Sequence, residues 1–106
     1  MQVGDVWIAF FPFEDAPSEG KVRPVVVLNT SEKVAVVLSV MVTSHEPRTR
    51  FDVQLLDYSF AGLSVPSVAR ASHAINLPAG NFKRRLGRLS ASDLRAVQTA
   101  VAEFTE

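Results

Sequence analysis

The segment 21–29, KVRPVVVLN, constrains the fold more than any other part of the sequence. A valine-rich run of this length that ends in a turn former such as Asn29 predicts a buried strand. Pro24 disfavours helical geometry at Arg23 and has no amide donor, so it suits the start or the edge of a strand. The segment therefore predicts a stiff strand with a guanidinium at its entrance. A planar, permanently charged guanidinium suits phosphate binding, although Arg23 taken alone is also explained as a solvated residue at a strand start.

Composition limits what the chain can be. Its 106 residues predict one domain, 1–106, with a single core. The 11 basic and 11 acidic residues cancel, so any nucleic-acid site must be a local patch and not a whole-surface field. The absence of cysteine excludes disulfides, thiolate zinc sites and cysteine nucleophiles. No apolar run approaches the roughly 20 residues that span a membrane, and the first residues lack a basic leader, so we expect a cytoplasmic protein.

Short β-type segments separated by polar loops recur along the chain. We expect loops at 14–21 and 44–50, a turn at 30–32, and a turn or short helix at 57–62. The expected strands cover 6–13, 21–29, 34–42, 51–56, 64–77 and 83–89. No crossover helices lie between these segments, which argues against a parallel α/β sheet. The pattern predicts a mainly β protein, either a small curled antiparallel sheet or a β-barrel.

The C-terminal segment predicts the single helix of the chain. Ser90 is a helix-capping residue, and Asp93 three positions later completes a pattern like a capping box. Apolar residues then recur at helical spacing: Leu94, Val97, Val101 and Phe104. We therefore expect an amphipathic helix at 91–105 that packs on the sheet.

Several stretches, in order, resemble the PemK/MazF toxins of bacterial toxin–antitoxin pairs. They are GDVW at 4–7 with FPF at 11–13, KVRPVVVL at 21–28, MVTS at 41–44, GLSVPSVAR at 62–70, and GRLS at 87–90 followed by DL at 93–94. The resemblance implies an SH3-like barrel that forms a homodimer, with no metal or other cofactor. It implies cleavage of single-stranded RNA, including messenger RNA, at short sequences. It also implies a cognate antitoxin with an acidic tail.

The resemblance assigns catalytic roles to Arg23 and Thr43. Its Ser-Glu pair corresponds to Ser18 and Glu19, although the spacing to Arg23 is shorter here. His45 stands where the family sometimes has glutamine, and Arg70 stands where an acidic residue is common.

Cleavage through the substrate 2′-hydroxyl requires charge stabilisation and proton transfer. Arg23 suits the first task and Thr43 can donate a hydrogen bond to the same phosphate. Neither is a good proton shuttle, so we hypothesise that His45 or Glu19 transfers protons; an exposed loop histidine is the simpler interpretation of His45. A half-buried structural role is the simpler interpretation of His73.

A basic groove along the RNA backbone is the second expectation. Its candidate residues are Lys21, Ser44, Arg48, Arg50 and Arg70, with Phe13 as a stacking platform for a base. The basic triplet at 83–85 can belong to this groove or form an ordinary solvated face.

Two other functions remain open from the sequence. One is a CcdB-like toxin of the same barrel type that binds a protein target without hydrolysis. The other is an inactive barrel that serves only as an interaction module.

Overall fold

A computed structural model describes residues 1–30 and 36–105 of the chain. The elements, in order, are β1 (Asp5–Pro12), β2 (Gly20–Asn29), β3 (Val36–Thr43), β4 (Asp52–Leu55), β5 (Ser67–Pro78), a 3₁₀ turn (Ala79–Asn81), β6 (Phe82–Arg88) and α1 (Ala91–Thr105). All six predicted strands and the terminal helix are thus confirmed. The end of the turn predicted at 30–32 and the start of the third strand lie outside the described residues.

The strands form one antiparallel sheet in the order β4-β5-β3-β2-β1-β6. The mainly β fold with a C-terminal helix is confirmed. Within the described residues, however, no ladder joins β4 to β6, so the sheet curls without closing into a hydrogen-bonded barrel. The described part of the chain measures 30 × 27 × 27 Å. No helix in this part is long and apolar enough to cross a lipid bilayer.

The two faces of the sheet bury different side chains, because successive residues of a strand point to opposite faces. One face builds the main core, in which Val6, Val26 and Val42 pack with Leu55 and with Val97 of α1. The other face builds a second cluster around Ala9, Phe11, Val25 and Leu77. Each fully buried valine or leucine contributes about 1.5–3 kcal/mol relative to an exposed one. Because β1 and β2 place apolar side chains on both faces of the sheet, these two strands contribute to both clusters.

The first turn of α1 departs from the predicted capping box. The Ser90 hydroxyl does accept the Asp93 amide at 3.3 Å and so caps the helix. The Asp93 carboxylate does not return to Ser90. It is buried and accepts the amides of Leu56 and Asp57 at 3.1 and 2.8 Å. Asp93 therefore ties the helix to the turn after β4, a long-range contact that the local sequence pattern does not contain.

Two strands begin or bend differently from the prediction. β2 starts at Gly20, because Gly20 and Lys21 already pair with Pro12 and Phe11 of β1. β5 carries a bulge, since its pairing with β3 moves from Ala74 directly to Arg70 between two consecutive residues of β3. A bulge of this kind displaces the intervening residues from the ladder and re-aims their side chains.

Candidate functional site

Arg23 and Thr43 lie on neighbouring strands at the same end of the sheet. The pairing of β2 with β3 ends at Val25 opposite Met41, and the same register continued for two residues brings Arg23 opposite Thr43. Arg23 lies two residues before Val25, and Thr43 lies two residues after Met41. Val25 and Met41 both pack in the second cluster, so Arg23 and Thr43 share that face of the sheet. The topology therefore brings a cation and a hydroxyl, which are 20 positions apart in the sequence, to one place.

The Arg23 guanidinium has no carboxylate partner among the described residues. Its Nη1 donates to the Met41 thioether sulfur at 3.0 Å, and thioether sulfur is a weak acceptor. Its Nε is buried and has no acceptor within residues 1–30 and 36–105. A half-buried guanidinium with an unused donor can bind an anionic group.

Thr43 is tied to the loop that follows β3. Its Oγ1 accepts the amide of His45 at 3.2 Å, so the backbone of this loop turns back over the end of the strand. His45 and Ser44 are both exposed. Thr43 thus keeps a hydroxyl proton available for donation, because the contact with His45 uses only its oxygen lone pair.

The loop between β1 and β2 is closed on itself. Phe13 and Glu19 are joined by a backbone hydrogen bond of 2.8 Å, and the Glu19 amide donates to Ala16. The side chain of Glu19 is exposed, as is that of Lys21 at the start of β2.

Phe13 borders a recess of about 330 Å³ beside this loop. Its other walls include Phe11, Glu14 and the bulged residues Ser72 and His73 of β5. His73 is exposed, and its Nδ1 lies 3.1 Å from the Ser72 hydroxyl. The structural role expected for His73 is therefore corrected, since the β5 bulge places it at the surface of a recess. No local pattern in the sequence indicates this position, because the bulge depends on how β5 pairs with β3.

Arg70 is not at the surface. It is 8% exposed, and its Nη1 lies 3.4 Å from Oδ2 of the buried Asp52, its register partner on β4. The same Asp52 oxygen accepts the amides of Arg48 and Thr49. The expected contact of Arg70 with RNA is corrected accordingly, because the ion pair anchors the loop between β3 and β4 from beneath.

The basic residues of that loop point outward. Arg48 and Arg50 are exposed, and the Arg50 guanidinium lies 4.8 Å from the centre of the Phe51 ring. Residues 1–30 and 36–105 contain no group of three or more His, Asp or Glu side chains placed to hold a metal ion.

A family model described as the PemK-like, MazF-like toxin of type II toxin–antitoxin systems matches residues 2–105. The chain belongs to this family. No curated protein matches the sequence.

Solved structures of PemK/MazF-like toxins share the fold. The Mycobacterium tuberculosis toxin MazF-mt6 is 25% identical, with 93% of each chain covered and a TM-score of 0.74. MazE–MazF from Deinococcus radiodurans (Form II) is 21% identical, covering 99% of this chain and 95% of that chain, with a TM-score of 0.77. An endoribonuclease in complex with its cognate antitoxin, from a mycobacterial species, is 16% identical, covering 97% and 92%, with a TM-score of 0.75.

The PemK/MazF resemblance and the geometry agree at some positions and diverge at others. Arg23 and Thr43, the residues to which the resemblance assigns catalysis, share one face of the sheet. Glu19 lies in the closed loop before β2, on an exposed side chain. Arg70 occupies a position where an acidic residue is common, and here it serves a buried ion pair.

Proposed function

We propose that this toxin is an endoribonuclease that cleaves single-stranded RNA at the end of the sheet where β2 begins and β3 ends. The observation that carries the proposal is the half-buried Arg23, whose Nε has no acceptor within the described residues. A fixed guanidinium at this place can bind the scissile phosphate without first breaking a protein ion pair. The MazF-mt6 structure and the endoribonuclease structures, which share this fold, support the same class of function.

The reaction uses the 2′-hydroxyl of the substrate as nucleophile. Its oxygen attacks the adjacent phosphorus, the 2′-proton leaves, and the bond to the 5′-oxygen breaks as that oxygen takes up a proton. The products are a 2′,3′-cyclic phosphate and a 5′-hydroxyl. Arg23 and Thr43 stabilise the charge that develops on the phosphoryl oxygens. No metal ion takes part in these steps.

Proton transfer is assigned to one of three exposed side chains, His45, Glu19 or His73. His45 follows Thr43 and is bonded to it through its main chain. Glu19 lies in the β1–β2 loop, and His73 lies in the recess beside Phe13. A pH–rate profile of His45→Ala, with His73→Ala in parallel, identifies the group: the profile changes only in the variant that lacks it. An unchanged rate and profile removes that histidine from the mechanism.

RNA binding is assigned to the exposed residues around the site. Lys21, Arg48 and Arg50 contact phosphates, Ser44 donates a hydrogen bond, and Phe13 stacks a base in its recess. A cognate antitoxin with an acidic tail, a homodimeric state and a bacterial cytoplasmic location complete the proposal. The antitoxin-bound endoribonuclease and the MazE–MazF structure, which share the fold, support the antitoxin.

The proposal is tested on a long single-stranded RNA in EDTA. We expect cleavage by the wild type, with cyclic phosphate and 5′-hydroxyl ends. Arg23→Ala should lower kcat by about 10²–10³-fold, the usual cost of removing one donor to developing charge. Arg88→Ala, a change of an exposed arginine on β6, is the control and should cleave normally. Intact RNA after incubation with well-folded wild type contradicts the proposal and favours a toxin that binds a protein target.

A further inference from the structure

The basic triplet at 83–85 is divided between the two faces of the sheet. Arg85 lies opposite Trp7, and its Nε lies 3.4 Å from the carboxylate of the buried Asp5. Arg84 lies opposite Ile8, on the main-core face, and borders a cavity there. The triplet is therefore not one charged surface, and Arg84 has a separate environment.

The cavity beside Arg84 has a volume of about 440 Å³ and reaches the end of β3. Its floor is aliphatic and includes Ile8 and Leu86. Its polar lining consists of Arg84 and four hydroxyl residues, Thr43, Ser44, Ser64 and Ser67. Thr43 can border this cavity because it is the last residue of its strand.

Backbone packing keeps the cavity open and fixes its shape. Gly62 has a positive φ of 86°, and a Cβ at this position would collide with the Leu86 carbonyl oxygen. On the opposite strand, a Cβ at Gly87 would meet the Ala61 carbonyl oxygen. The turn after β4 and strand β6 thus touch backbone to backbone, so the wall that carries Ser64 does not depend on mobile side chains.

The chemistry of the lining selects a class of ligand. Among the described residues, this lining offers one cation and several hydroxyls and includes no carboxylate and no aromatic ring. Such a lining binds phosphate and sugar oxygens well, whereas a nucleobase would need a stacking partner or a carboxylate for its amino groups. The cavity shares Thr43 and Ser44 with the proposed cleavage site.

We propose that this cavity is a subsite for the sugar and phosphate of the nucleotide next to the scissile linkage, with Arg84 as the phosphate ligand. The inference rests on the proposed ribonuclease function. The subsite positions the RNA and carries no sequence information, because it contacts the backbone and not the base edges.

The test uses an RNA oligonucleotide that carries one 2′-deoxy residue at the mapped cut, so that it binds without being cleaved. Arg84→Ala should weaken its binding at least about tenfold, because it removes a charge-assisted hydrogen bond to a phosphate. It should also reduce the slope of log K against log salt by about 0.7, the value for one phosphate of a single strand. Arg84→Lys should recover part of the affinity, and Arg88→Ala should leave both quantities unchanged.

Truncated oligonucleotides locate the subsite. Removing the flanking nucleotide on one side of the cut should make the wild type and Arg84→Ala bind equally. If Arg84→Ala loses the same affinity, relative to the wild type, for every truncated oligonucleotide, the subsite proposal is wrong. The subsite proposal is also wrong if Arg84→Ala binds RNA as the wild type does, while a glutamate-rich peptide binds the wild type but not Arg84→Ala. That result would favour a peptide-binding site. If the wild type neither binds nor cleaves RNA, the proposed ribonuclease function is wrong as well. If the wild type cleaves RNA and Arg84→Ala binds RNA as tightly as the wild type, only the subsite proposal is wrong.

Discussion

At the scale of single residues, burial separates two arginines that the sequence presents alike. Arg70 is buried and has Asp52 as its partner. Arg23 is half-buried, and within residues 1–30 and 36–105 its guanidinium has only the Met41 thioether as an acceptor, so its Nε is unused there. A paired guanidinium stabilises structure, and breaking such a pair leaves an uncompensated charge. An unpaired one has its charge available for a ligand. This contrast supports Arg23, and not Arg70, as the phosphate-binding residue.

Asp5 makes the stability of the fold depend on pH. Burial raises the pKa of its carboxyl, but the Gln2 amide, the Trp7 indole and the nearby Arg85 outweigh burial and hold the pKa below its ordinary value. A carboxyl with a depressed pKa stabilises the fold fully above its unfolded-state pKa of about 3.9, and this contribution is lost as the pH falls through the folded-state pKa. We therefore expect the Tm of the wild type to fall more steeply than that of Asp5→Asn between about pH 5 and pH 2.

Thermal unfolding followed by circular dichroism at several pH values measures this difference. Asp15→Asn, which changes an exposed carboxylate in the β1–β2 loop, is the matched control and should show the wild-type slope. Parallel curves for the wild type and Asp5→Asn would show that Asp5 contributes no linked proton.

At the scale of secondary-structure elements, α1 is attached through Asp93 more firmly than it is capped by Ser90. Asp93→Ala removes the acceptor of two amides from the turn after β4 and should cost at least about 2 kcal/mol of unfolding free energy. Ser90→Ala removes one capping hydrogen bond and should cost about 1 kcal/mol. Urea unfolding at neutral pH compares the two variants. Equal losses would mean that Asp93 acts only within the first helical turn.

The strands and the helix were predicted well from the sequence, because the residue patterns that indicate them are local. A valine-rich run ended by Asn29 identified β2, and apolar spacing with Ser90 identified α1. The bulge in β5 left no such signal, because it depends on which residues of β3 pair with Ala74 and Arg70. Arg70 was therefore expected at the surface. Its partner Asp52 becomes evident only when β4 is aligned beside β5.

The candidate site was predictable to a similar degree. Arg23 and Thr43 came from the resemblance to PemK/MazF toxins, and the sheet register then brought them to one face. Arg84 was hidden within a charged triplet, since only strand alternation separates it from Arg85. His73 was expected to be half-buried because it lies within a predicted strand, whereas the bulge in β5 exposes it. Sites made of residues from several strands need the topology, which periodicity alone does not supply.

At the scale of the whole molecule, one sheet supports two apolar clusters, and we expect them to unfold together. Leu55 lies in the main core and is 1% exposed, while Leu77 lies in the second cluster and is fully buried. Leucine-to-alanine substitution at either position should cost about 2–5 kcal/mol. Because β1 and β2 contribute to both clusters, each variant should unfold in one transition, monitored by tryptophan fluorescence and circular dichroism. Two separated transitions in either variant would show that the clusters fold independently.

Pro24 has a consequence for how this toxin can be engineered. The ladder between β2 and β3 stops at Val25, and the adjacent residue, Pro24, has no amide hydrogen to donate. A strand former at position 24 would supply the missing amide and could extend the ladder toward residues 23 and 43. Selection for thermal stability and selection for catalysis therefore act on the same position, and a stabilised variant has to be assayed for both.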